Sequence, residues 1–402
     1  MTIYAKRIIF HIDVNSAFLS WTAVYRLKNG EKEDIRNIPS AVGGDESSRH
    51  GIVLAKSTPA KAYGIVTGES LFSARKKCPS LKIFPASFDI YRKYSSEMMK
   101  IVKEYTPKVE QYSIDECFLD VTCDIKKPPL DFAYEIKERI KKELGFTVNV
   151  GISSNRMLAK MASELKKPDK INTLYPEEIK SKMWPLPVSE LFMVGRSTRK
   201  KLKSMYIDTI GDLANYDVNV LKNKFKSYGK TIWEYANGID NSKIECNDDS
   251  DMKSISNDAT FSHDITNSCE AHKEIMELCD HLSERLRKSH KFCSSISVSI
   301  RNSNFSNYSH QVKLKSPTDS TSVILNTAKS LFDETWKKEP IRLISIQLSK
   351  LCGKDYQQVS IFEPNMERSR ALDKAIDSIR EKYGENTIMG SVFLNKKSSG
   401  KD

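Results

Sequence analysis

The chain has 402 residues, with 64 Lys and Arg against 52 Asp and Glu, a net charge of +12 and a pI near 9.1. A length of this order accommodates about two to four domains, and the basic excess favours a polyanionic partner, nucleic acid first among them. No apolar run approaches the ~20 residues that span a bilayer, and MTIYAKRIIFHID has neither the apolar core nor the cleavage site of a signal peptide, so membrane classes are excluded and a cytoplasmic location is expected.

In chain order, RIIFHID (7–13) is a short apolar strand ending in Asp13, and NSAFLSWTAVYRL (15–27) is a helix starting at Asn15 or Ser16. GIVLAKS (51–57) predicts a strand, TPAKAYG a short helix, and GESLFSARKKCPS another that stops before Pro79. A strand over 81–84 and a helix from Asp89 to Tyr105 lead through Pro107 into YSIDECFLD (112–120), which reads as a strand running to Thr122. A helix from Asp131 to Leu144, the strand TVNVGIS (147–153) and a helix from Asn155 to Lys166 continue an alternation that suggests an α/β layer. From Tyr175 to Asp240 the pattern is wholly helical, with glycine turns at Gly195, Gly211 and Gly229. The acidic stretch NSKIECNDDSD (241–251) reads as a linker to a third unit. That unit has strand SISNDATF, a helix over 268–289, strands SSISVSIR (294–301) and HQVKLK (310–315), a helix over 322–337 and strand IRLISIQLS (341–349), a small α/β sandwich. A last helix spans 366–383, with no purpose evident from its sequence.

Eight cysteines are scattered without a CxxC pair and read as reduced packing residues. Cys269, His272 and Cys279 share an arc of one predicted helix, but ten residues of helix rise about 15 Å, too far for one ion. In the third unit no acid occurs from 285 through 318, whereas Arg285, Arg287, Lys288, Lys291, Arg301, Lys313 and Lys315 do, interspersed with Ser, Asn and Tyr308. Such a span suits a surface that tracks phosphates.

The chemistry concentrates in the acids. Asp115 and Glu116 lie together in the strand-like YSIDECFLD, and isolated carboxylates are costly to bury, so either a cation neutralises them or water solvates them at an edge. If the strand ending in Asp13 is their neighbour, three carboxylates converge, the donor set for a pair of Mg²⁺ ions that keep room for phosphate oxygens. Strict alternation would send Asp115 and Glu116 to opposite faces, so the chain must bend there, and Tyr112-Ser113 is the turn expected.

FHIDVNSAF, YSIDECFLD and GISSNRMLAKMASELKKP resemble, in order and spacing, three palm signatures of the Y-family translesion DNA polymerases, close to the DNA polymerase IV type; the similarity covers about residues 5–350. The resemblance implies a right-hand polymerase with a ferredoxin-like palm (1–22 and 88–175), small fingers (23–87), a helical helix-hairpin-helix thumb (176–241), a linker (242–252), an α/β little finger (253–352) and a C-terminal tail (353–402). It implies template-directed addition of dNTPs to a primer 3′ end with two Mg²⁺ ions, for DNA damage tolerance, by a protein taken to be a monomer. Asp13 and Asp115 would bridge both metals, the carbonyl of Val14 would bind the nucleotide-side ion, and Glu116 would sit on the primer side. Phe18, five residues past Asp13, matches the steric gate that overlaps a ribose 2′-OH, and Lys160 matches the family's phosphate-binding lysine. STPAKAYGI matches a fingers segment contacting the triphosphate, with Thr58 where Tyr is common and Lys61 where Arg is common, so bidentate geometry is lost there. Ala17 stands where an aromatic is common.

LFMVGRSTRKKL (191–202) resembles a helix-hairpin-helix, in which Gly195 would turn backbone N–H groups toward a phosphate; Ser197 replaces the usual second glycine, and Arg196, Arg199, Lys200, Lys201 and Lys203 supply charge. Arg301, Lys313 and Lys315 are the corresponding DNA contacts expected of the little finger. QVSIF (358–362) resembles a sliding-clamp-binding peptide, with Gln358, Ser360, Ile361 and Phe362 as its contacts. Two rivals remain at this level. One is a catalytically silent, clamp-tethered DNA-binding protein with a palm fold. The other is a nucleotide cyclase suggested by GGDES (43–47), which reads as a charged loop lacking the apolar strands of that enzyme's hairpin.

Overall fold

The computed structural model describes residues 7–44, 49, 51–245, 252–353, 366–384 and 387–388. The chain divides into two units, one of residues 1–46 and 51–247 and the other of residues 47–50 and 248–402. The first opens with β1 (Ile9–Val14), α1 (Ala17–Lys28), β2 (Ser40–Gly43), β3 (Val53–Lys56), α2 (Thr58–Ala62), α3 (Leu71–Lys77) and β4 (Lys82–Pro85). It continues with α4 (Phe88–Lys103), β5 (Val109–Gln111), β6 (Glu116–Asp120), α5 (Pro129–Leu144), β7 (Val148–Ser153), α6 (Arg156–Leu165) and β8 (Ile171–Thr173). Short helices α7 (Arg196–Lys203), α8 (Ile210–Ala214), α9 (Val218–Phe225) and α10 (Ser227–Ala236) follow and share a core of their own.

β1 is buried along its whole length because it is the middle strand of a five-stranded sheet, ordered β5-β6-β1-β7-β8. Phe10, Ile12 and Val14 point into the main apolar core beside Cys117, Leu119, Val148, Val150 and Ile152. That face is closed by α1, α4 and α5, whose buried residues Trp21, Tyr91 and Ile136 belong to the same core. α5 stops at Gly145, whose φ of +84° is the left-handed conformation that glycine adopts without a Cβ penalty.

Several expectations need correction. YSIDECFLD is not one strand: the backbone bends through residues 112–115 and β6 begins at Glu116. GGDES does have strands beside it, since β2 pairs antiparallel with β3 and Gly43 faces Val53, although residues 45–48 lie outside the described residues. That hairpin belongs to a separate three-stranded sheet, β3-β2-β4. The start of the expected linker is packed onto the first unit, with Ile244 against Ile9 and Phe118, and the Glu245 N–H donating to Glu110 Oε2 at 3.2 Å.

The second unit contains β9 (Ser254–Ile265), α11 (Ser268–Lys288), β10 (Phe292–Asn302), β11 (Asn307–Thr318), α12 (Thr321–Thr335), β12 (Ile341–Cys352) and α13 (Met366–Tyr383). Its sheet, β11-β10-β12-β9, is antiparallel throughout. Ile296, Val298, Ile300, Ile344, Ile346 and Leu348 form one apolar face under α11 and α12, while Ser297, Ser299, Arg301, Ser345 and Gln347 alternate onto the other. α13 is held to the unit by ion pairs: Arg287 grips Asp377 through Nε at 2.6 Å and a terminal nitrogen at 2.8 Å, Arg370 reaches Asp319 at 2.7 Å, and Arg380 reaches Asp280 at 2.8 Å. Arg287 is therefore spent on α13 rather than on the open surface to which the acid-free span assigned it.

Candidate active site

Residues opposed across a ladder share a face of the sheet. In the register of β1 with β6, Asp13 faces Glu116 and His11 faces Phe118; with β7, Asp13 faces Asn149 and His11 faces Gly151. His11, Asp13, Glu116 and Asn149 thus stand together on the face covered by α6. The helix lies close because Gly151 has no side chain: a Cβ there would meet the Ala159 carbonyl at 2.0 Å and the Ser163 nitrogen at 2.4 Å. Asn149 then fastens the helix's end. Its Nδ2 donates to the carbonyls of Ser163 (3.0 Å) and Lys166 (2.8 Å), while its Oδ1 accepts from Asn15 Nδ2 and Lys170 N, each at 3.1 Å.

The bend before β6 answers the alternation problem. Asp115 lies outside the strand, its carbonyl accepting from Val14 N at 3.1 Å and its Oδ1 from the Ser113 hydroxyl at 2.6 Å. Asp115 and Glu116 need not follow strand alternation, and Asp115 joins Asp13 in one cleft.

Both strand carboxylates carry a counter-charge from the α6 side. Lys160 Nζ lies 2.8 Å from Glu116 Oε1, and Lys167 Nζ lies 2.5 Å from Asp13 Oδ2. Glu164 stands between the two lysines, 3.8 Å from Lys160 and 2.9 Å from Lys167. The ionisation of the two acids diverges. Burial drives Asp13 up to about 6, more than Lys167 pulls it back. Burial also raises Glu116, but the His11 ring and Lys160 outweigh it and hold this carboxyl down at about 2. His11 itself is fully buried, which pushes it down to about 4 against the pull of Glu116.

A cleft of about 410 Å³ opens beside these groups. Asp13, Val14 and Asp115 line it together with Ala17, Phe18, Thr58 and Lys61. The Phe18 ring is not free to swing: it stacks on Tyr91 with centroids 4.7 Å apart, and Phe88 and Trp21 meet it at 5.9 and 6.1 Å. Tyr91 is in turn tied to Thr22 by a 3.0 Å hydroxyl contact.

The Lys160 ammonium pairs with Glu116, and Lys167 rather than Lys160 is among the residues that line the cleft. Sequence reasoning missed Lys167, although 160, 164 and 167 recur at helical spacing and face the same acids. Glu116 also lies off the cleft lining, turned toward Lys160 and His11. Elsewhere in the first unit, Gly195 caps α7, and Arg196, Ser197, Arg199 and Lys200 are exposed on its first two turns. In the second unit, the pairings Ser295–Lys313 and Arg301–Asn307 put Arg301 and Lys313 on the open face, with Arg301 donating to Asn307 Oδ1 at 2.8 Å, and Lys315 is exposed further along the same strand. Gln358, Ser360, Ile361 and Phe362 lie outside the described residues.

The donor chemistry suits a hard divalent cation: carboxylate oxygens, a main-chain carbonyl at Val14, and an open side for phosphate or water. Among the described residues no group of three or more His, Cys, Asp or Glu side chains is gathered to hold a metal ion. The carboxylates are instead drawn to ammonium groups, so the expected convergence extends to a shared sheet edge and cleft but not to an enclosed ligand shell. Among the described residues no helix is long and apolar enough to cross a membrane.

Comparison with known proteins adds independent findings. Residues 12–164 match the impB/mucB/samB family, residues 252–361 its C-terminal domain, and residues 190–240 the DNA polymerase-iota thumb domain. The chain is 61% identical to a DNA polymerase IV of Clostridium acetobutylicum, covering 97% of this chain and 99% of that protein. It is 36% identical to a DNA polymerase IV of Acetivibrio thermocellus, covering 97% of this chain and 98% of the other. A solved Y-family DNA polymerase chimera superposes with a TM-score of 0.75 over 86% of this chain and all of its own, at 21% identity, a likeness of fold.

Proposed function

The chain belongs to the Y family of DNA polymerases, in the DNA polymerase IV group, and on that premise we propose that Asp13, Asp115 and Glu116, with the Val14 carbonyl, hold two Mg²⁺ ions at the cleft. The protein is a template-directed DNA polymerase of the translesion type, adding dNTPs to a primer 3′ end. When bound, the ions activate the attacking hydroxyl and stabilise charge on the transferring phosphate. The observation that carries the reading is the register of β1 against β6, which sets Asp13 opposite Glu116 and brings the bend at Asp115 to the same edge.

The chain's own groups divide the remaining work. Thr58 and Lys61 offer a hydroxyl and a cation to the triphosphate, and Lys167, which also lines the cleft, offers a second cation. Phe18, held by Tyr91, occupies the space of a ribose 2′-OH, with Ala17 widening the pocket beside it. Gly195, Arg196, Ser197, Arg199 and Lys200 on α7, and Arg301 and Lys313 on the open sheet face with Lys315 further along the strand, bear on DNA phosphates. QVSIF (358–362) docks on a sliding clamp, and the protein acts as a cytoplasmic monomer in DNA damage tolerance. The test is primer extension with Mg²⁺ and dNTPs. Asp115→Ala should remove activity while leaving the melting curve near that of the wild type, and Glu116→Ala should remove activity with a lower melting curve because Lys160 loses its partner; extension surviving either change refutes the assignment.

A further inference from the structure

One buried group on the polar face of the sheet has no part in the scheme above. His11 is wholly enclosed between β6, β7 and α6. Its Nδ1 is 2.8 Å from the Ser163 hydroxyl, and its ring packs on Phe118 with centroids 4.6 Å apart. Its Nε2 has no hydrogen-bond partner among the described residues, and Glu116 Oε2 lies 3.4 Å from it. A buried nitrogen left without a partner is costly, and this one lies beside a carboxylate assigned to metal.

We propose that His11 is a positioning residue for Glu116: its Nε2–H takes one carboxylate oxygen while the Lys160 ammonium takes the other, so that Glu116 meets a divalent ion in one orientation. The proposal rests on the metal-site reading above. The two contacts use different oxygens, Oε2 for His11 and Oε1 for Lys160, and together they restrain both the position and the twist of the carboxylate. Ser163 makes the ring orientation definite. Its hydroxyl also lies 2.8 Å from the Lys160 carbonyl, and it reaches His11 because Gly151 lets α6 approach. The Ser163 hydroxyl has one proton: directed at Nδ1 instead of at the Lys160 carbonyl, it makes Nδ1 the acceptor, and Nε2 of the neutral ring then carries the proton toward the acid. At 3.4 Å the contact is long, as catalytic hydrogen bonds commonly are before the reactive complex assembles. Partners of this kind orient ligands without touching the ion, and losing one typically costs about 10- to 100-fold in metal affinity or activity.

The experiment compares His11→Phe, which keeps an aromatic ring against Phe118 but cannot donate, with His11→Gln, whose amide can place an N–H near the position of Nε2. Mn²⁺ binding is titrated by electron paramagnetic resonance on the full chain with a dideoxy-terminated primer-template and the next dNTP, so that no turnover enters. Primer extension supplies kcat and KM, and melting curves report folding. For His11→Phe the expected result is a loss of about 10- to 100-fold in Mn²⁺ affinity and kcat, with KM for dNTP within about twofold, and for His11→Gln recovery of most of both. A folded His11→Phe protein with wild-type Mn²⁺ affinity and kcat overturns the proposal, as does a His11→Gln protein equally impaired. Wild-type Mn²⁺ binding that Asp115→Asn leaves untouched refutes the metal-site reading beneath it instead.

Discussion

The two large sheets of the molecule handle charge in opposite ways. In the five-stranded sheet the acids sit at strand ends under α6, each within 3 Å of a lysine, and their ionisation is displaced, Asp13 up to about 6 and Glu116 down to about 2. In the four-stranded sheet Lys313 and Lys315 are exposed on an edge strand, and Arg301 makes a neutral contact with Asn307. On the function proposed above, the difference separates two tasks. Chemistry at a metal site needs carboxylates whose position and protonation are set before ligands arrive, whereas following a phosphate backbone needs cations in water that are free to exchange partners. Where the first region loses one group it should lose turnover; where the second loses one it should lose affinity by degrees.

Removing Asp115 or Glu116 gives the largest effect, beyond the ~100-fold that outer partners cost, and primer extension reads it. If an equally large loss of turnover followed from Lys313→Ala, the contrast between the regions would break. Phe18→Ala comes next. It should admit ribonucleotides, raising rNTP over dNTP incorporation by about tenfold or more, as expected when a tight pocket gives up a ring; unchanged sugar selection would remove Phe18 from the gate.

Acid titration sharpens the comparison within the first sheet. Metal binding needs an ionised Asp13, so Mg²⁺ affinity should fall as pH drops through about 6, about tenfold per unit while one proton competes. The two acids act oppositely on the fold. Asp13 has its folded value raised above the ordinary 3.8, so its contribution is full below that value and lost as pH rises through about 6. Glu116 is lowered from 4.5, so its contribution is present above that value and fades as pH falls toward 2. Asp13→Asn should therefore melt above the wild type at pH 8, the gap closing as pH falls through about 6. The smallest effect is the double change Lys313→Ala with Lys315→Ala, which should weaken DNA binding alike on all sequences and reduce the slope of log K against log salt by ~0.9 per lost phosphate contact. A fluorescence anisotropy titration over a salt series measures it.

Much of this organisation is legible in the residues themselves. β1, β7 and the helices around them follow apolar periodicity, and the three motifs carry the family. What stays hidden is tertiary. β2, β5 and β8 have only three or four residues each, too few to show a period. β9 and β11 run to 12 residues but read shorter because their exposed ends are polar. Lys160 and Lys167 stand at helical spacing in the sequence, but α6 ends at Leu165, so Lys160 stays on the helix beside Glu116 while Lys167 lies beyond its end and meets Asp13 at the cleft. Likewise Arg287 looks like surface charge until α13 brings Asp377 to it.

Central to the proposed function is the action of Asp13, Asp115 and Glu116 through divalent ions. Its most direct test is equilibrium binding of the correct dNTP to the full chain on a chain-terminated primer-template, with Mg²⁺ and with EDTA, for the wild type and Asp115→Ala. The prediction is tight binding by the wild type with Mg²⁺, lost both in EDTA and in the variant. Binding equally strong without a divalent ion, or untouched by the loss of Asp115, would contradict it.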